Sequence, residues 1–307
     1  MPVSWWQREI AAKYGLMSCP PTLKELRLND HTVGVLPDIG GGIAYWRWRT
    51  NGETIDLLRP TNGQDPTALD LACFPLLPYS NRIQHGEFHF QGRTIRLPLN
   101  FGDHPHSIHG HGWQRPWAIQ RQRPAQLVLT FEHTADAWPF DYAARQTIDL
   151  HANGLTLSLD LENRSNLPMP AGVGFHPYFP RASEARIVAG VDGVWLTDAT
   201  QLPTTHVAPP VHWRLSEGLT VTGLDCDNVF TGWSGSARLE WHNVTMTIRA
   251  SDALRHLVVY APAGEDFFCV EPVSHQTDAV NADPSRETGL RILAPGESLH
   301  AKVDFRM

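Results

Sequence analysis

The chain has 307 residues, of which 42% are hydrophobic and 19% are charged, and its formal net charge is -7. This composition excludes an intrinsically disordered chain. No block of like charges occurs, which argues against a nucleic acid or an anionic membrane as partner. A small neutral ligand is expected instead.

The N-terminal segment, residues 1–20, is predicted to be an extension, with an amphipathic helix over residues 3–14. It contains charged residues and lacks the apolar stretch of a signal peptide. No later run approaches the roughly 18 uninterrupted apolar residues of a membrane-spanning helix. We therefore expect a cytoplasmic protein without a membrane partner.

The cysteines are widely spaced and include no C-x-x-C pair. In a chain of this size, such spacing predicts reduced thiols rather than a disulfide framework. They are Cys19, Cys73, Cys226 and Cys269.

Residues 21–307 are predicted to form a single domain of short β-strands, because 24 glycines and 24 prolines interrupt the sequence too often for long helices. Two hairpins are indicated, one turning at Asn153-Gly154 and one at Gln91-Gly92. Alternating or apolar runs predict further strands at residues 127–131, 244–248, 256–260, 267–273 and 301–305. The absence of strand–helix alternation favours an all-β sandwich or distorted barrel with few short helices.

Arg82 is the first candidate functional residue in chain order. It lies in Pro78-Tyr79-Ser80-Asn81-Arg82-Ile83, directly before a predicted hairpin. A forked guanidinium at this place could donate hydrogen bonds to ligand hydroxyl groups. The simpler interpretation of the local sequence is a surface arginine that ties down a loop, since most arginines are mostly exposed.

Four histidines fall within eight residues at positions 104–111. His109, which precedes a glycine, could approach a ligand closely and donate a hydrogen bond. A His-x-His pair on a strand could instead bind zinc, and a zinc hydrolase built on His109 and His111 is one alternative. Carboxylate or cysteine partners at ligand spacing are not evident, so no metal is predicted. An ordinary structural loop is the third interpretation.

Three further polar residues lie in apolar or turn-rich sequence. His176 could be a proton donor or a buried histidine with satisfied hydrogen bonds. Glu271 stands in an apolar strand, where burial would raise its pKa toward the range of a general base, although a buried salt bridge is also possible. Asp227 gives a weaker signal of the same kind, since Asp-Asn pairs often make turns.

Six short motifs follow one another along the chain from Asn81 onward. They are Asn81-Arg82-Ile83, Phe88 with Gly92, His109-Gly110, His176-Pro177-Tyr178-Phe179, Asp227-x-x-Phe230 and Cys269-Val270-Glu271-Pro272. In this order they resemble the motifs of the aldose 1-epimerase (galactose mutarotase-like) family, and the resemblance extends from about residue 25 to the C-terminus.

The resemblance implies a large antiparallel β-sandwich and a cofactor-free isomerase. Glu271 matches the family's general base, and His176 matches its general acid. Residues that bind the hydroxyl and ring oxygens of the sugar are matched by Arg82, together with Asn81, and by His109 and Asp227. A shifted alignment would give the role of His109 to His111.

The expected reaction is the interconversion of the α and β anomers of a free aldose, a hexose such as glucose or galactose. Two alternatives remain open from the sequence. A hexose-phosphate mutarotase would require additional cationic groups around the far end of the sugar. A non-catalytic carbohydrate-binding protein of the same fold would not need a buried carboxylate opposite a histidine. The expected partner is a small sugar, and the protein is expected to be a monomer or a homodimer.

Overall fold

The computed structural model describes residues 21–63, 65–241 and 244–307, so the helix predicted within residues 1–20 lies outside the described residues. The described part consists mainly of strands. In chain order these are β1 (Lys24–Leu28), β2 (His31–Leu36), β3 (Gly42–Thr50), β4 (Glu53–Leu58), β5 (Cys73–Leu76), β6 (Arg82–Ile83), β7 (Glu87–Phe90), β8 (Arg93–Arg96), β9 (Ser107–Ile108), β10 (Ala118–Arg123), β11 (Gln126–His133), β12 (Tyr142–His151), β13 (Gly154–Asn163), β14 (Met169–Ala171), β15 (Gly174–Pro180), β16 (Arg186–Ala189), β17 (Gly193–Thr197), β18 (Pro203–Val207), β19 (Leu219–Thr220), β20 (Cys226–Thr231), β21 (Ser236–Trp241), β22 (Val244–Ala250), β23 (His256–Ala261), β24 (Phe267–Val273), β25 (Arg291–Leu293) and β26 (Ser298–Arg306).

Helical structure in these ranges is limited to single 3₁₀ turns, which confirms the prediction of few short helices. The turns are Ala68–Asp70, Gln84–Gly86, Val211–Trp213, Leu215–Glu217 and Ala279–Asn281. None of the helices in the described ranges has the length and apolar character needed to cross a bilayer.

Two large antiparallel sheets form the framework. The first has the order β1-β2-β3-β5-β15-β24-β23-β20-β17-β18, with β4 also paired to β3. The second has the order β10-β11-β12-β13-β26-β22-β21-β16-β19. The sheets pack face to face around one apolar core, in which Trp46 and Phe179 of the first sheet contact Phe305 of the second. The predicted antiparallel β-sandwich is confirmed.

Both predicted hairpins are present. In the β12–β13 hairpin, Leu150 pairs with Leu155 across the turn at Asn153. In the β7–β8 hairpin, Phe88 pairs with Ile95, and Gln91 and Gly92 take φ values of 48° and 76°. Two consecutive positive φ values are the geometry that a two-residue hairpin loop with the twist of its strands requires. The five other predicted segments fall within β11, β22, β23, β24 and β26.

A second apolar layer covers the opposite face of the first sheet, away from the sandwich core. Successive side chains of a strand point to opposite faces. In β24, Phe268 and Val270 therefore face the sandwich core, while Cys269 and Val273 join Phe74, Trp113 and Tyr178 in the outer layer. Glu271 has the same parity as Cys269 and Val273, so the fold places its carboxyl group in this outer layer.

Candidate functional site

Glu271 and His176 come together on two neighbouring strands. β15 pairs antiparallel with β24, and the pairing of Tyr178 with Cys269 fixes a register that places His176 beside Glu271. Nε2 of His176 lies 3.4 Å from Oε1 of Glu271. Glu271 is 2% exposed and His176 is 6% exposed. The two groups that the sequence indicates for proton transfer thus share one nearly water-free environment.

The protonation state of this pair follows from its burial. Desolvation raises the pKa of Glu271 well above its usual value, the negative charge of Asp227 adds to the rise, and Arg82 opposes it. Burial also lowers the pKa of His176 to about 3. A His176 pKa near neutrality was expected from the sequence, but the free protein holds the imidazole neutral. Burial therefore disfavours the charged form of both groups.

The ring of His176 is held between aromatic neighbours. Its centroid lies 4.8 Å from that of Phe74, and it stacks on Tyr178 at 4.6 Å with an interplanar angle of 12°. The guanidinium of Arg59 packs on the Tyr178 ring, 4.3 Å from its centroid. Nδ1 of His176 has no hydrogen-bond partner among the described residues. Packing, rather than hydrogen bonding at Nδ1, therefore orients the imidazole.

Arg82 links the remaining polar residues of the site. Its Nη2 donates to Oδ2 of Asp227 over 2.9 Å, and its Nη1 donates to Oδ1 of Asn81 over 3.0 Å. The side chains of Arg82 and Asp227 are only 11% and 20% exposed, so solvent screens this ion pair weakly. The guanidinium is thereby fixed beside the Glu271–His176 pair, with its charge compensated by Asp227.

His109 belongs to the same cluster. Its ring centroid is 5.4 Å from that of His176, and the backbone N–H of Asn81 donates to its Nδ1 over 2.9 Å. Nδ1 must therefore carry a lone pair, which puts the proton of the neutral ring on Nε2. Burial, reinforced by the nearby His176, lowers the pKa of His109 well below its usual value. His109 thus offers one N–H donor and no charge.

His111 lies in a different cluster. Its ring stacks on His133 with centroids 4.5 Å apart, and its Nδ1 lies 3.0 Å from the hydroxyl of Tyr142. The two histidines of the His-x-His motif therefore have different neighbours, and the arrangement does not bring them together as the zinc hydrolase hypothesis requires. Of the two, His109 is the one beside His176.

The turn after His109 gives a testable expectation for stability. Gly110 has a φ of 67°, and an added Cβ would lie 2.2 Å from the carbonyl oxygen of Leu77. Gly92 has a φ of 76° but nothing within 4 Å of the added atom. Gly92→Ala should lower the free energy of unfolding by about 1–2 kcal/mol, the cost of the backbone conformation alone. Gly110→Ala should lower it by at least about 3 kcal/mol, because the clash adds to that cost. Urea unfolding of both variants measures the difference, and equal losses would contradict the described turn.

Buried neutral histidines predict acid destabilisation. Burial lowers the pKa of His176 to about 3 and those of His111 and His275 to about 4. Below pH 6.5 the unfolded chain protonates these rings while the folded protein does not, so stability falls with pH. Glu271 acts in the opposite direction, because its raised pKa makes the folded protein bind the extra proton.

Urea unfolding should show the balance of these effects. The buried histidines, to which His109 also belongs, outnumber the one carboxyl group, so we expect the free energy of unfolding to fall between pH 7 and pH 5. His275→Gln should reduce the loss. Equal stability at the two pH values would show that these rings titrate normally in the folded protein.

A cavity of about 1210 Å³ lies apart from these residues, around Trp195, His206, His256, Gln276 and Arg286. The six predicted site residues are not part of its lining. Since Glu271 and His176 are almost fully buried, a ligand would touch only the outer edges of these two side chains.

Sequence reasoning missed the residues that support the pair. Cys269 lies directly beside it, with Sγ within 4.8 Å of the nearest ligand-type atoms of His176 and Glu271. Tyr178 lies two residues after His176 in β15, and Cys269 lies two residues before Glu271 in β24. Because alternate residues of a strand face the same side, this spacing is the signal that could have indicated both neighbours. Phe74 and Arg59 come from distant segments, and no local pattern indicates them.

Comparisons with known proteins agree with this architecture. The family described as Aldose 1-epimerase matches residues 25–306. The protein YphB of Escherichia coli K12, which is uncharacterized, is 32% identical over 279 residues, covering 87% of this chain and 93% of its own length.

Solved structures give the same result. A protein of Escherichia coli K12, provisionally named an aldose 1-epimerase, has a TM-score of 0.84 at 29% identity, covering 93% of this chain and 98% of its own. A galactose mutarotase-like protein from Clostridium acetobutylicum has a TM-score of 0.81 at 20% identity, covering 94% and 99% of the two chains. At that lower identity the second likeness concerns the fold alone.

Proposed function

Because this chain belongs to the aldose 1-epimerase family, we propose that it is an isomerase that interconverts the α and β anomers of a free aldose, a hexose such as glucose or galactose. The observation that carries the proposal is the buried pair of Glu271 and His176, 3.4 Å apart, in which burial disfavours the charged form of each group. Anomerisation needs one acid and one base at the anomeric centre, and this pair supplies both.

In the proposed mechanism, Glu271 removes the proton of the C1 hydroxyl group while His176 donates a proton to the ring oxygen. The C1–O5 bond breaks and leaves the open-chain aldehyde. Rotation about C1–C2 presents the other face of the carbonyl group, and the reverse proton transfers close the ring as the opposite anomer. Each cycle returns the proton to the pair, so no cofactor is consumed.

The reaction needs an ionised Glu271 and a protonated His176, whereas burial favours the neutral form of each group. A proton that moves from Glu271 to His176 creates both charges at once and leaves the net charge of the pair unchanged. Arg82 favours the ionised carboxylate, as its effect on the pKa of Glu271 indicates. Hydroxyl groups of a bound sugar would add hydrogen bonds to the charged forms. We propose that the pair reaches the reactive state, with Glu271 ionised and His176 protonated, when the sugar binds and not in the free protein.

Four further residues are proposed to bind the sugar. His109 presents a neutral Nε2–H donor, Arg82 and the side chain of Asn81 present polar edges, and Asp227 is an acceptor for hydroxyl groups. The charges of Arg82 and Asp227 compensate one another at 2.9 Å. A site whose fixed charges already cancel favours an uncharged sugar over a sugar phosphate, which supports a free aldose over a hexose phosphate. A purely binding role would leave the Glu271–His176 pair without a purpose.

Exchange spectroscopy by NMR tests the substrate class. The protein is added to equilibrated glucose, galactose and glucose 6-phosphate, and magnetisation transfer between the α and β anomeric protons is measured. We expect faster exchange for a neutral hexose than for the phosphate. Acceleration of the phosphate alone would move the proposal to a hexose-phosphate mutarotase, and sugar binding without acceleration would identify a binding protein.

A cytoplasmic location remains part of the proposal. It is supported by the described cysteines, Cys73, Cys226 and Cys269, which are buried free thiols and so fit a reducing compartment.

A further inference from the structure

The Glu271–His176 pair has a third neighbour with a different chemistry. Cys269 precedes Glu271 by two residues on β24, is fully buried and points to the same face of the sheet. One atom each of His176, Cys269 and Glu271 can be chosen so that all three lie within 4.8 Å of one another. An imidazole, a thiol and a carboxyl group are the three side-chain types that bind zinc in proteins.

The separation of the pair is compatible with a shared ion. At 3.4 Å, Nε2 of His176 and Oε1 of Glu271 are farther apart than the roughly 2.7–3.2 Å of an N–H···O hydrogen bond. A tetrahedral zinc ion with bonds of about 2.0–2.1 Å holds a nitrogen and an oxygen ligand about 3.3–3.4 Å apart. Two of the three ligand atoms therefore already stand at the required distance.

The sulfur atom needs only a small adjustment. With a Zn–S bond of about 2.3 Å, tetrahedral geometry puts the sulfur about 3.6 Å from the nitrogen or oxygen ligand. Sγ lies within 4.8 Å of both in the protein, so a shift of about 1 Å completes the site. A cation there would also compensate the charge of a carboxylate that is only 2% exposed.

A second group in the chain shows what an unsuitable arrangement looks like. His111, His133 and Asp136 also lie within 4.8 Å of one another. The imidazole rings stack nearly parallel, and Nε2 of His133 lies 3.2 Å from the carbonyl oxygen of Trp138, which requires a proton rather than a lone pair. Each group has an arginine nearby, Arg115 at 4.0 Å from Asp136 and Arg82 beside Glu271. The buried thiol of Cys269 distinguishes the first group, because soft cations prefer sulfur ligands.

We propose that His176, Cys269 and Glu271 form an inhibitory site for a soft divalent cation such as Zn²⁺. The ion forms bonds to Nε2, Sγ and a carboxylate oxygen, and the thiol proton and any proton on the carboxyl group of Glu271 are released to solvent. Bound in this way, the ion occupies the lone pairs that take and give protons in the anomerisation, so it blocks the reaction and competes with the sugar. The inhibition rests on the proposed function, whereas metal binding does not.

Metal binding is tested first, without sugar. Full-length, chelator-stripped protein with the Cys19→Ser background is titrated with Cd²⁺, and the ultraviolet charge-transfer absorption of a cadmium thiolate is recorded. We expect one equivalent of Cd²⁺ per chain to saturate the band. Cys269→Ala should abolish the band, and Cys226→Ala, which removes a buried thiol elsewhere, should retain it. No band in the parent protein, or a band that persists in Cys269→Ala, would overturn the proposal.

Inhibition is tested second. Zn²⁺ should slow anomerisation in the parent protein and in Cys226→Ala. Because sugar and ion compete, more sugar should raise the Zn²⁺ concentration needed for half-inhibition. Cys269→Ala should need at least about tenfold more Zn²⁺ for half-inhibition of its own rate. If the alanine variant does not fold, Cys269→Ser keeps the volume and supplies a much poorer ligand for a soft ion. Equal sensitivity of parent and variant would contradict the site. A different result is that the metal-free protein shows no anomerisation while the cadmium band still depends on Cys269. That result would refute the proposed function and leave the metal site standing.

Discussion

Glu271→Gln is expected to lower the rate of anomerisation by at least about a hundredfold, because an amide of the same shape can neither take nor return a proton. The same substitution should raise the stability of the protein at pH 7. Burial raises the pKa of this carboxyl group well above its usual value, so the folded state disfavours its ionised form. Glutamine carries no charge and avoids that cost.

The two readouts together separate catalysis from structure. Polarimetric rates and thermal unfolding of the variant are measured under the same conditions as for the parent protein. A fall in both would indicate that Glu271 mainly supports the fold. A near-parental rate in a folded Glu271→Gln variant would remove the proposed base.

His176→Asn is expected to have a similarly large effect, at least about a hundredfold on turnover. Asparagine can donate a hydrogen bond to the ring oxygen of the sugar but cannot transfer a proton. Tyr178→Phe is the matched control, since it keeps the aromatic ring that stacks on His176 at 4.6 Å. The control should retain more than about a tenth of the parental rate.

The double variant Glu271→Gln/His176→Asn tests whether the two residues act as a unit. Groups that share one proton-transfer step lose most of their contribution together, so the double variant should be little slower than either single variant. A multiplicative loss of about ten-thousandfold would instead indicate independent roles.

Local signals predicted much of the fold. The turn at Gln91-Gly92 could be read from the sequence because its conformational requirements involve only neighbouring residues. The turn between β12 and β13 is at Ala152-Asn153, one residue before the predicted Asn153-Gly154, because His151 pairs with Gly154. The strands β24 and β26 were recognisable from apolar or alternating runs. The order of strands within the sheets was beyond reach, because pairings such as β5 with β15 and β13 with β26 join segments about 100 or more residues apart.

The segment around His176 shows the limit of local reasoning. Pro177 and Pro180 made it look turn-rich, since proline lacks the N–H that a central strand normally donates. The structure nevertheless places residues 174–180 in β15, at the centre of the first sheet between β5 and β24. Pro177 pairs with Cys73 of β5. Tertiary packing overrides the local preference here.

The individual residues of the site could be predicted from the sequence, but the distances between them and their tautomers could not. Glu271 was recognisable because a carboxyl group in an apolar strand is costly. Its distance to His176 depends on the register of two strands, and the tautomer of His109 depends on the backbone N–H of Asn81, 28 residues away. The depressed pKa of His176 arises from burial in the outer layer, for which the sequence held no signal.

Polarimetry of freshly dissolved α-glucose and α-galactose tests the central claim most directly. Purified, chelator-treated protein is compared with buffer alone and with Glu271→Gln at the same concentration. The account predicts that the protein brings at least one of these sugars to the same final rotation faster than buffer, and that the variant is at least about a hundredfold less effective. Relaxation at the buffer rate with both sugars would contradict it.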